Sequence, residues 1–204
     1  MKNSEKSDKS KKELLQVSLR LFGTKGYDGT SIADIEEELQ QTRGALIYHY
    51  KSKLKLFEAV IEKYYFSRIM PSSLDKQDRD TLNVMCSTLV LFMENECVKL
   101  KNLGIQNIAG VYINLENDAL RYIPDFRERC KSLQQRELGV VEQTVRHSMD
   151  IGEIRNDVLP SVIAEMFMNV VRGQTYRANI LGLDYYTDGM SRQFNGLYHL
   201  ISKY

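Results

Sequence analysis

Apolar residues recur at helical spacing through most of the chain, and the first stripe lies near the N-terminus. Leu15, Leu19 and Phe22 stand at positions i, i+4 and i+7, and Gly26 follows as a stop signal. The pattern predicts a first helix that begins at Lys11 and stops at that glycine. Residues 1–10 are nearly all Lys, Ser, Asp, Glu or Asn, so we expect them to form a mobile arm.

A second apolar stripe follows after a short gap: Ile32, Ile35 and Leu39. Ser31 can cap the helix that this stripe predicts, and Asp34, three residues later, can complete a capping box. Only the residues "QQ" separate the stripe from the next capping residue, Thr42. A connection of this length is typical of a helix-turn-helix. We therefore predict that the second and third helices form such a pair.

The third predicted helix is very short, and its two sides differ in character. Leu46, Ile47 and Tyr50 share the inner side, whereas Gly44, Ala45 and Tyr48 share the outer side, flanked by Arg43 and His49. A helix this short is not stable alone, so its neighbours must hold it. Small residues followed by hydrogen-bonding side chains suit insertion into the major groove of DNA.

Lysines surround the start of the fourth predicted helix. Ser52 can cap that helix, Lys53 lies in its first turn, and Lys51 and Lys55 flank it. The N–H groups at a helix start and nearby ammonium groups together favour a phosphate. Short polar helices and lysine runs are also common on ordinary solvated surfaces, so the spacing alone leaves both interpretations open.

Composition and charge narrow the class of protein without identifying it. Of the 204 residues, 43% are hydrophobic and 27% charged, with only 3 prolines and 12 glycines, a balance that favours an all-α globular fold. Residues 1–70 carry 13 Lys and Arg against 10 Asp and Glu, and residues 71–204 carry 15 against 17. This difference in net charge between the two parts of the chain is too small to indicate nucleic-acid binding by itself. No apolar run approaches the roughly 18 residues of a membrane span, so we expect a cytoplasmic protein without a membrane partner.

The rest of the chain predicts long helices without a specific motif. Their expected ranges are 79–100, 103 to about 115 and 125–149, and two closing helices follow. The closing pair carries apolar stripes: Ile163, Met166, Phe167, Val170 and Val171 on one helix, and Met190, Phe194, Leu197, Tyr198 and Ile201 on the other. Two such stripes meeting their symmetry mates would form a four-helix dimer interface. Packing inside a single protomer would produce the same periodicity.

No residue pattern indicates catalysis, a metal or a cofactor. The histidines belong to no metal motif, and the glycines lack the spacing of a nucleotide-binding loop. The three cysteines have no CxxC spacing and are expected to be reduced core thiols. Six residues could border a pocket for a small apolar or amphipathic ligand: Met85, Leu89, Phe92, Met93, Tyr112 and Tyr176. Such residues at helical spacing are usually plain core, so we expect core packing for most of them and a cavity among them.

Between Leu14 and Val60 the sequence resembles the DNA-binding domain of the tetracycline-repressor (TetR) family of bacterial transcription regulators. The segments "LFGTKGYDGTS", "IADI" and "TRGALIYHYKSKLKLF" occur in the order and spacing of that family. The resemblance implies a homodimer and a recognition helix that starts at Thr42. It also implies contacts with the DNA backbone at the start of the second helix and a phosphate contact from Lys53.

Two departures from the family pattern bear on these contacts. Gln40 stands where the family has a glycine in the turn, and Ile47 stands where it has its first recognition-helix tyrosine. Loss of that tyrosine removes one expected phosphate contact, so other residues should carry more of the binding. The DNA-binding set that we expect is Thr30, Ser31, Thr42, Arg43, Gly44, Ala45, Tyr48, His49 and Lys53.

Together these observations predict an all-α protein with two domains. An arm at 1–10 precedes a three-helix helix-turn-helix domain at 11–53, a connecting helix at 54–70, and a helical ligand-binding and dimerisation domain at 71–204. The leading hypothesis is a repressor that a small molecule releases from a palindromic operator in double-stranded DNA. Two alternatives stay open: an architectural DNA-binding dimer without a metabolite inducer, and a small helical enzyme or carrier. The sequence identifies neither the inducer nor the operator.

Overall fold

The computed structural model describes residues 2–39, 49–68, 70–183 and 187–203. Eight α-helices and no β-strand lie in these ranges, which confirms the all-α prediction. The helices are α1 (Lys2–Lys25), α2 (Ile32–Leu39), α3 (Lys53–Val60), α4 (Leu82–Lys101), α5 (Ile108–Tyr122), α6 (Phe126–Asp150), α7 (Pro160–Leu181) and α8 (Thr187–Ile201). Within the described ranges, none of them combines the length and the apolar character that crossing a bilayer requires.

The helices pack as two compact units, and the first, here the head unit, comprises Met1–Arg68 and Leu100–Phe126. Its fully buried side chains include Phe22, Ile35, Phe57 and Leu115. α5 packs along α1. The two helices meet at Gly23, where an added Cβ would lie 2.4 Å from Cγ1 of Val111. They therefore approach more closely than a side chain at this position permits.

The head unit contains a helix that the sequence analysis assigns to the C-terminal body. Residues 100–126 fall in the predicted domain at 71–204, whereas the structure groups them with the N-terminal helices. The reason lies in contacts between distant parts of the chain, such as the hydrogen bond between Tyr27 and Asp118, which are 91 residues apart. Such contacts leave no local pattern in a sequence.

Two helix starts also differ from the prediction. α1 begins at Lys2, so the structure has a helix where the sequence predicts an arm. Lys and Glu are good helix formers, each residue added to an anchored helix adds a hydrogen bond, and Lys9 lies 3.9 Å from Glu13 at i, i+4. α5 begins at residue 108 rather than near 103, because the side chain of Asn107 caps its first turn through a 2.8 Å hydrogen bond.

The predicted connecting helix at 54–70 divides into two kinds of helix. α3 ends at Val60, and the chain continues as a π-helical turn over Ile61–Phe66. In this turn the rings of Tyr65 and Phe66 lie 5.2 and 5.5 Å from the ring of Phe126, between centroids. The turn is thus anchored by aromatic packing inside the head unit.

The second, or body, unit comprises Ile69–Lys99 and Arg127–Tyr204. Its core includes Leu82, Met85, Leu89, Met93, Val141, Val145, Ile163, Phe167, Val170, Met190 and Phe194. Polar groups of α6 hold the segment before α4. The buried carboxylate of Glu137 accepts the N–H and the hydroxyl of Ser72 at 2.8 and 2.5 Å. As expected for core thiols, Cys86 and Cys97 are buried, and Cys130 is half-buried.

Candidate DNA-binding site

The N-terminus of α3 is built as an anion site requires. Ser52 caps the helix, because its Oγ accepts the N–H of Lys55 at 3.2 Å, which confirms the predicted cap. The first N–H groups of the helix, those of Lys53 and Leu54, have no acceptor inside a helix. They form the positive end of the helix dipole and can donate to a phosphate.

The three lysines near this helix start differ in what their ammonium groups contact. Nζ of Lys53 lies 4.2 Å from the centroid of the Tyr27 ring, a cation–π geometry. Nζ of Lys55 donates to Glu58 at 2.6 Å, and Lys51 is exposed. A ring face leaves the N–H donors of an ammonium group unsatisfied. Lys53 is therefore held at the helix start while it keeps donors for a phosphate.

The start of α2 contains the predicted capping box. The N–H of Asp34 donates to Oγ of Ser31 at 3.0 Å, and the N–H of Ser31 donates to the carboxylate of Asp34 at 2.6 Å. The Ser31 hydroxyl also bonds this carboxylate, and these bonds, with the charge of Lys25, hold the pKa of Asp34 below its usual value. Ser31 is exposed, as a contact with the DNA backbone requires.

Thr30 occupies a different environment from its neighbour. Its side chain is fully buried, and its hydroxyl donates to the carbonyl oxygen of Gly26 at 2.9 Å. This placement corrects the expectation of a DNA contact from the Thr30 side chain. The hydroxyl instead holds the turn between α1 and α2 from the inside.

Most of the expected recognition helix lies outside the described residues. This applies to Thr42, Arg43, Gly44, Ala45 and Tyr48, and to both departures from the family pattern, Gln40 and Ile47. His49 and Tyr50 are described and half-buried, and Nζ of Lys11 lies 5.9 Å from the centroid of the Tyr50 ring. The DNA contacts of this helix stay predictions.

The residues that hold Tyr27 beneath Lys53 are not among the predicted site residues. The buried Asp118 accepts the N–H of Tyr27 at 2.6 Å. The rings of Tyr122 and Phe57 lie 4.4 and 5.0 Å from the Tyr27 ring, between centroids. One signal was present in the sequence, since Asp118 and Tyr122 are hydrogen-bonding residues four positions apart, on one face of a helix.

The six residues of the predicted ligand pocket do not all lie in one unit. Four of them are in the body core or pack against it: Met85, Leu89, Phe92 and Met93. Tyr112 belongs to the head unit. Tyr176 is 64% exposed, because the inward face of α7 at this level carries Gln174 and Ala178. A pocket lined by the α4 residues stays a prediction, and Tyr176 does not face this core.

Two buried oxygen atoms of the body unit have no hydrogen-bond partner in the part of the chain that the structure describes. They are Oε2 of Glu153 and Oε1 of Gln174. The other carboxylate oxygen of Glu153 accepts the hydroxyl of Tyr198 at 3.2 Å. A buried oxygen without a partner costs about 1–3 kcal/mol, so proteins usually supply water or a ligand to it. Both oxygens are therefore acceptors that the described residues of the body unit leave unsatisfied.

The predicted dimer stripes lie mostly inside the protomer. Nine members are buried in the body core or packed against it: Ile163, Phe167, Val170, Val171, Met190, Phe194, Leu197, Tyr198 and Ile201. A second stripe points outward and comprises Val162, Met166, Tyr176 and Ile180 on α7, with Leu200 on α8. Beside it, Gly173 and Gly196 face open space. The inward stripes thus pack within the protomer, and of the predicted residues Met166, at 42% exposure, belongs to the outward stripe.

Comparison with known proteins identifies relatives that regulate transcription. The family described as "Bacterial regulatory proteins, tetR family" matches residues 14–60. The chain is 36% identical over 170 residues to the HTH-type transcriptional repressor AcnR of Corynebacterium efficiens, covering 79% of this chain and 77% of that protein. It is 23% identical over 175 residues to the HTH-type transcriptional regulator AcrR of Shigella flexneri, covering 84% and 79%.

The fold is also shared with a solved complex of SmeT and triclosan. The TM-score is 0.65 at 21% identity, and the match covers 95% of this chain and 92% of that chain. An identity this low shows the fold alone.

Proposed function

The chain belongs to the TetR family of bacterial regulatory proteins, and from this premise we propose that it is a repressor which a small molecule releases from a palindromic operator. Proteins of this family are transcription regulators and not enzymes, so the chain is a DNA-binding transcription regulator. The proposal adds negative regulation, a two-fold operator and release by a ligand. The name of the AcnR relative, a transcriptional repressor, supports negative regulation.

The N-terminus of α3 is the observation that carries the proposal. It combines a side-chain cap from Ser52 with the ammonium group of Lys53 fixed on an aromatic ring. A second capped helix start, at Ser31, is also exposed in the same unit. Oriented N–H groups and a fixed positive charge bind phosphate oxygens without reading bases, which sets the register of a head on the duplex.

A palindromic operator requires two heads, and the outward stripe of α7 and α8 is the surface proposed to join them. Tyr176 is 64% exposed and Ile180, one turn later on α7, 63% exposed. Apolar side chains clustered at a surface are typical of an interface with a partner. In a two-fold dimer the same stripe meets itself, and heads about 34 Å apart would enter successive major grooves.

The interior of the body unit supports release by a small molecule. Four methionines are buried in it: Met85, Met93, Met168 and Met190. Their flexible side chains adapt to guests of different shape, and Glu153 and Gln174 supply the unsatisfied oxygens. SmeT is a protein of the same fold whose complex with triclosan has been solved. A ligand that weakens DNA binding 100-fold must prefer the DNA-free form by the same factor, about 2.7 kcal/mol.

Promoter fragments from upstream of the chain's own gene test this function. The purified protein should retard such a fragment in a gel shift, and a thermal-shift screen of apolar and amphipathic metabolites should find compounds that raise its melting temperature. A compound found in this way should release the fragment. Failure to retard any promoter fragment would refute the proposed repressor function. Retardation that no compound weakens would favour the architectural dimer.

A further inference from the structure

Polar side chains of α5 form hydrogen bonds with the end of α1 and with the turn between α1 and α2. Asn114 donates from Nδ2 to the carbonyl oxygen of Gly23 at 2.8 Å. Two turns later, the hydroxyl of Tyr122 donates to the carboxylate of Asp28 at 2.5 Å. Asp118 lies between them, and residues four apart share one face of a helix. α5 therefore presents a row of three hydrogen-bonding groups to the end of α1 and the turn that follows it.

Asp118 makes the central contact of this row. It is buried, and its Oδ2 accepts the N–H of Tyr27 at 2.6 Å. Gly26 turns the backbone at φ 77°, and an added Cβ there would lie 3.4 Å from the same oxygen. An N–H bonded to a buried carboxylate cannot move away without losing a strong hydrogen bond. Asp118 thus fixes the point at which the Tyr27 side chain leaves the backbone.

The ring of Tyr27 connects this fixed point of the backbone to α3. It contacts the rings of Tyr122 and Phe57, at centroid distances of 4.4 and 5.0 Å. The ammonium group of Lys53 lies 4.2 Å from its centroid. One aromatic ring therefore links α5 to the first residue of α3, where the phosphate site is proposed.

We infer that Asp118 is a positioning residue for DNA binding: by fixing Tyr27, it holds the Lys53 ammonium group at the N-terminus of α3. This inference rests on the proposed function, because Lys53 has a phosphate to contact only if the head unit binds DNA. A displacement of α5 along α1 would draw Asp118 away from Tyr27. The phosphate contact would then weaken without any change in the recognition helix.

The salt dependence of DNA affinity tests this role, because a phosphate contact releases counterions and a purely structural contact does not. The probe is a fluorescent duplex of the retarded promoter fragment, with affinity measured by anisotropy across a salt series. Lys53→Ala should lower the slope of log affinity against log salt by about 1. Asp118→Ala should lower it by nearly as much, and the double variant should show no further loss. Asp118→Asn keeps an oxygen acceptor for the N–H of Tyr27 and should restore the wild-type slope.

Matched variants keep the test decisive. Asp125→Ala removes an exposed carboxylate from the same unit and should leave the slope unchanged. Where Asp118→Ala fails to fold, Tyr27→Leu should lower the slope and Tyr27→Phe, which keeps the ring, should not. A wild-type slope for folded Asp118→Ala or for Tyr27→Leu, additive losses in the double variant, or a wild-type slope for Lys53→Ala would overturn the inference. Absence of any DNA binding by the wild type would refute the proposed function itself.

Discussion

The head unit and the body unit are both helical, yet different kinds of contact hold α5 in the head and the core formed by α4, α7 and α8 in the body. In the head, hydrogen bonds join α5 to distant segments, from Tyr27 to Asp118 at 2.6 Å and from the hydroxyl of Tyr65 to Glu116 at 2.5 Å. In the body, hydrogen bonds such as that from Ser72 to Glu137 hold the segment before α4 to α6, whereas α4, α7 and α8 contribute mainly Met, Leu and Phe side chains to one apolar core. Directional bonds fix positions, whereas apolar packing that includes methionine tolerates a change of shape.

The difference between these contacts predicts where a single substitution should act. A DNA-binding head must present its phosphate contacts at fixed positions, and a body that admits a guest must be able to repack. We therefore expect substitutions in the body core to change mainly the free energy of unfolding. Substitutions of the side chains that hydrogen-bond α5 to the turn between α1 and α2 should act mainly on the positions of the phosphate contacts.

The largest effect is expected in the body core. Phe194 is 3% exposed and stacks on Phe167 with ring centroids 5.5 Å apart. Phe194→Ala should lower the free energy of unfolding by about 3–5 kcal/mol, because it leaves a cavity. Urea unfolding followed by circular dichroism measures this loss. Leu91→Ala, at a 53% exposed position of α4, is the control and should cost less than about 0.5 kcal/mol. A loss below about 1 kcal/mol for Phe194→Ala would show a loosely packed core.

The next effect concerns the outward stripe of the body. Ile180→Glu should give a folded monomer at concentrations at which the wild type is dimeric, since a charge in a desolvated interface costs about 2 kcal/mol or more in each copy. Light scattering measures the mass, and circular dichroism confirms the fold. Leu91→Glu places the same charge on a different exposed apolar residue and should stay dimeric. A dimeric Ile180→Glu together with a monomeric Leu91→Glu would show that the interface lies at α4 instead.

Local features of the head could be predicted from sequence, because both partners lie within one helical turn. The caps from Ser31 and Ser52 are confirmed, with hydrogen bonds to residues three positions later. The bond between Tyr27 and Asp118 could not be predicted in the same way. Its partners are 91 residues apart, and a backbone N–H contact places no demand on the type of side chain at position 27.

α7 shows the limit of periodicity in the body. Ile163 and Phe167 are buried, whereas their neighbours Val162 and Met166 are exposed, and all four are apolar. The two pairs have the same spacing and differ by one residue, a rotation of about 100° around the helix. Periodicity therefore predicts that an apolar stripe exists. Which stripe faces inward depends on the surface that α8 presents, and that information is not local.

A smaller effect is expected where α1 and α5 approach in the head. Gly23→Ala would place a Cβ 2.4 Å from Cγ1 of Val111, and the repacking should cost about 1–3 kcal/mol. Combining it with Val111→Ala removes the obstructing methyl groups, so the two losses in urea unfolding should be less than additive. Gly139→Ala, in a helix and facing open space, should instead stabilise the protein by up to about 1 kcal/mol. Stabilisation by Gly23→Ala would contradict the close approach.

The smallest effect is expected at the start of α2, and it depends on pH. Hydrogen bonds from Ser31, with the charges of Lys25 and Lys53, hold the pKa of Asp34 below its usual value. Because the folded-state pKa is the lower one, the contribution of the carboxylate is complete above the unfolded-state pKa, about 4, and is lost as pH falls through the folded-state value. Asp34→Asn should therefore be less stable than the wild type at neutral pH, and urea midpoints should converge in acid.

Asp150 provides the control for Asp34, because it lies at the opposite end of a helix. It is the last residue of α6, where the helix dipole is negative. Asp150→Asn should leave stability at neutral pH unchanged or slightly higher. A difference between Asp34→Asn and the wild type that stays constant with pH would mean that the charge of the cap contributes nothing. The position of α2 would then depend on the buried contacts of Ile35 and Thr30, and the head would resemble the body more closely than its hydrogen bonds indicate.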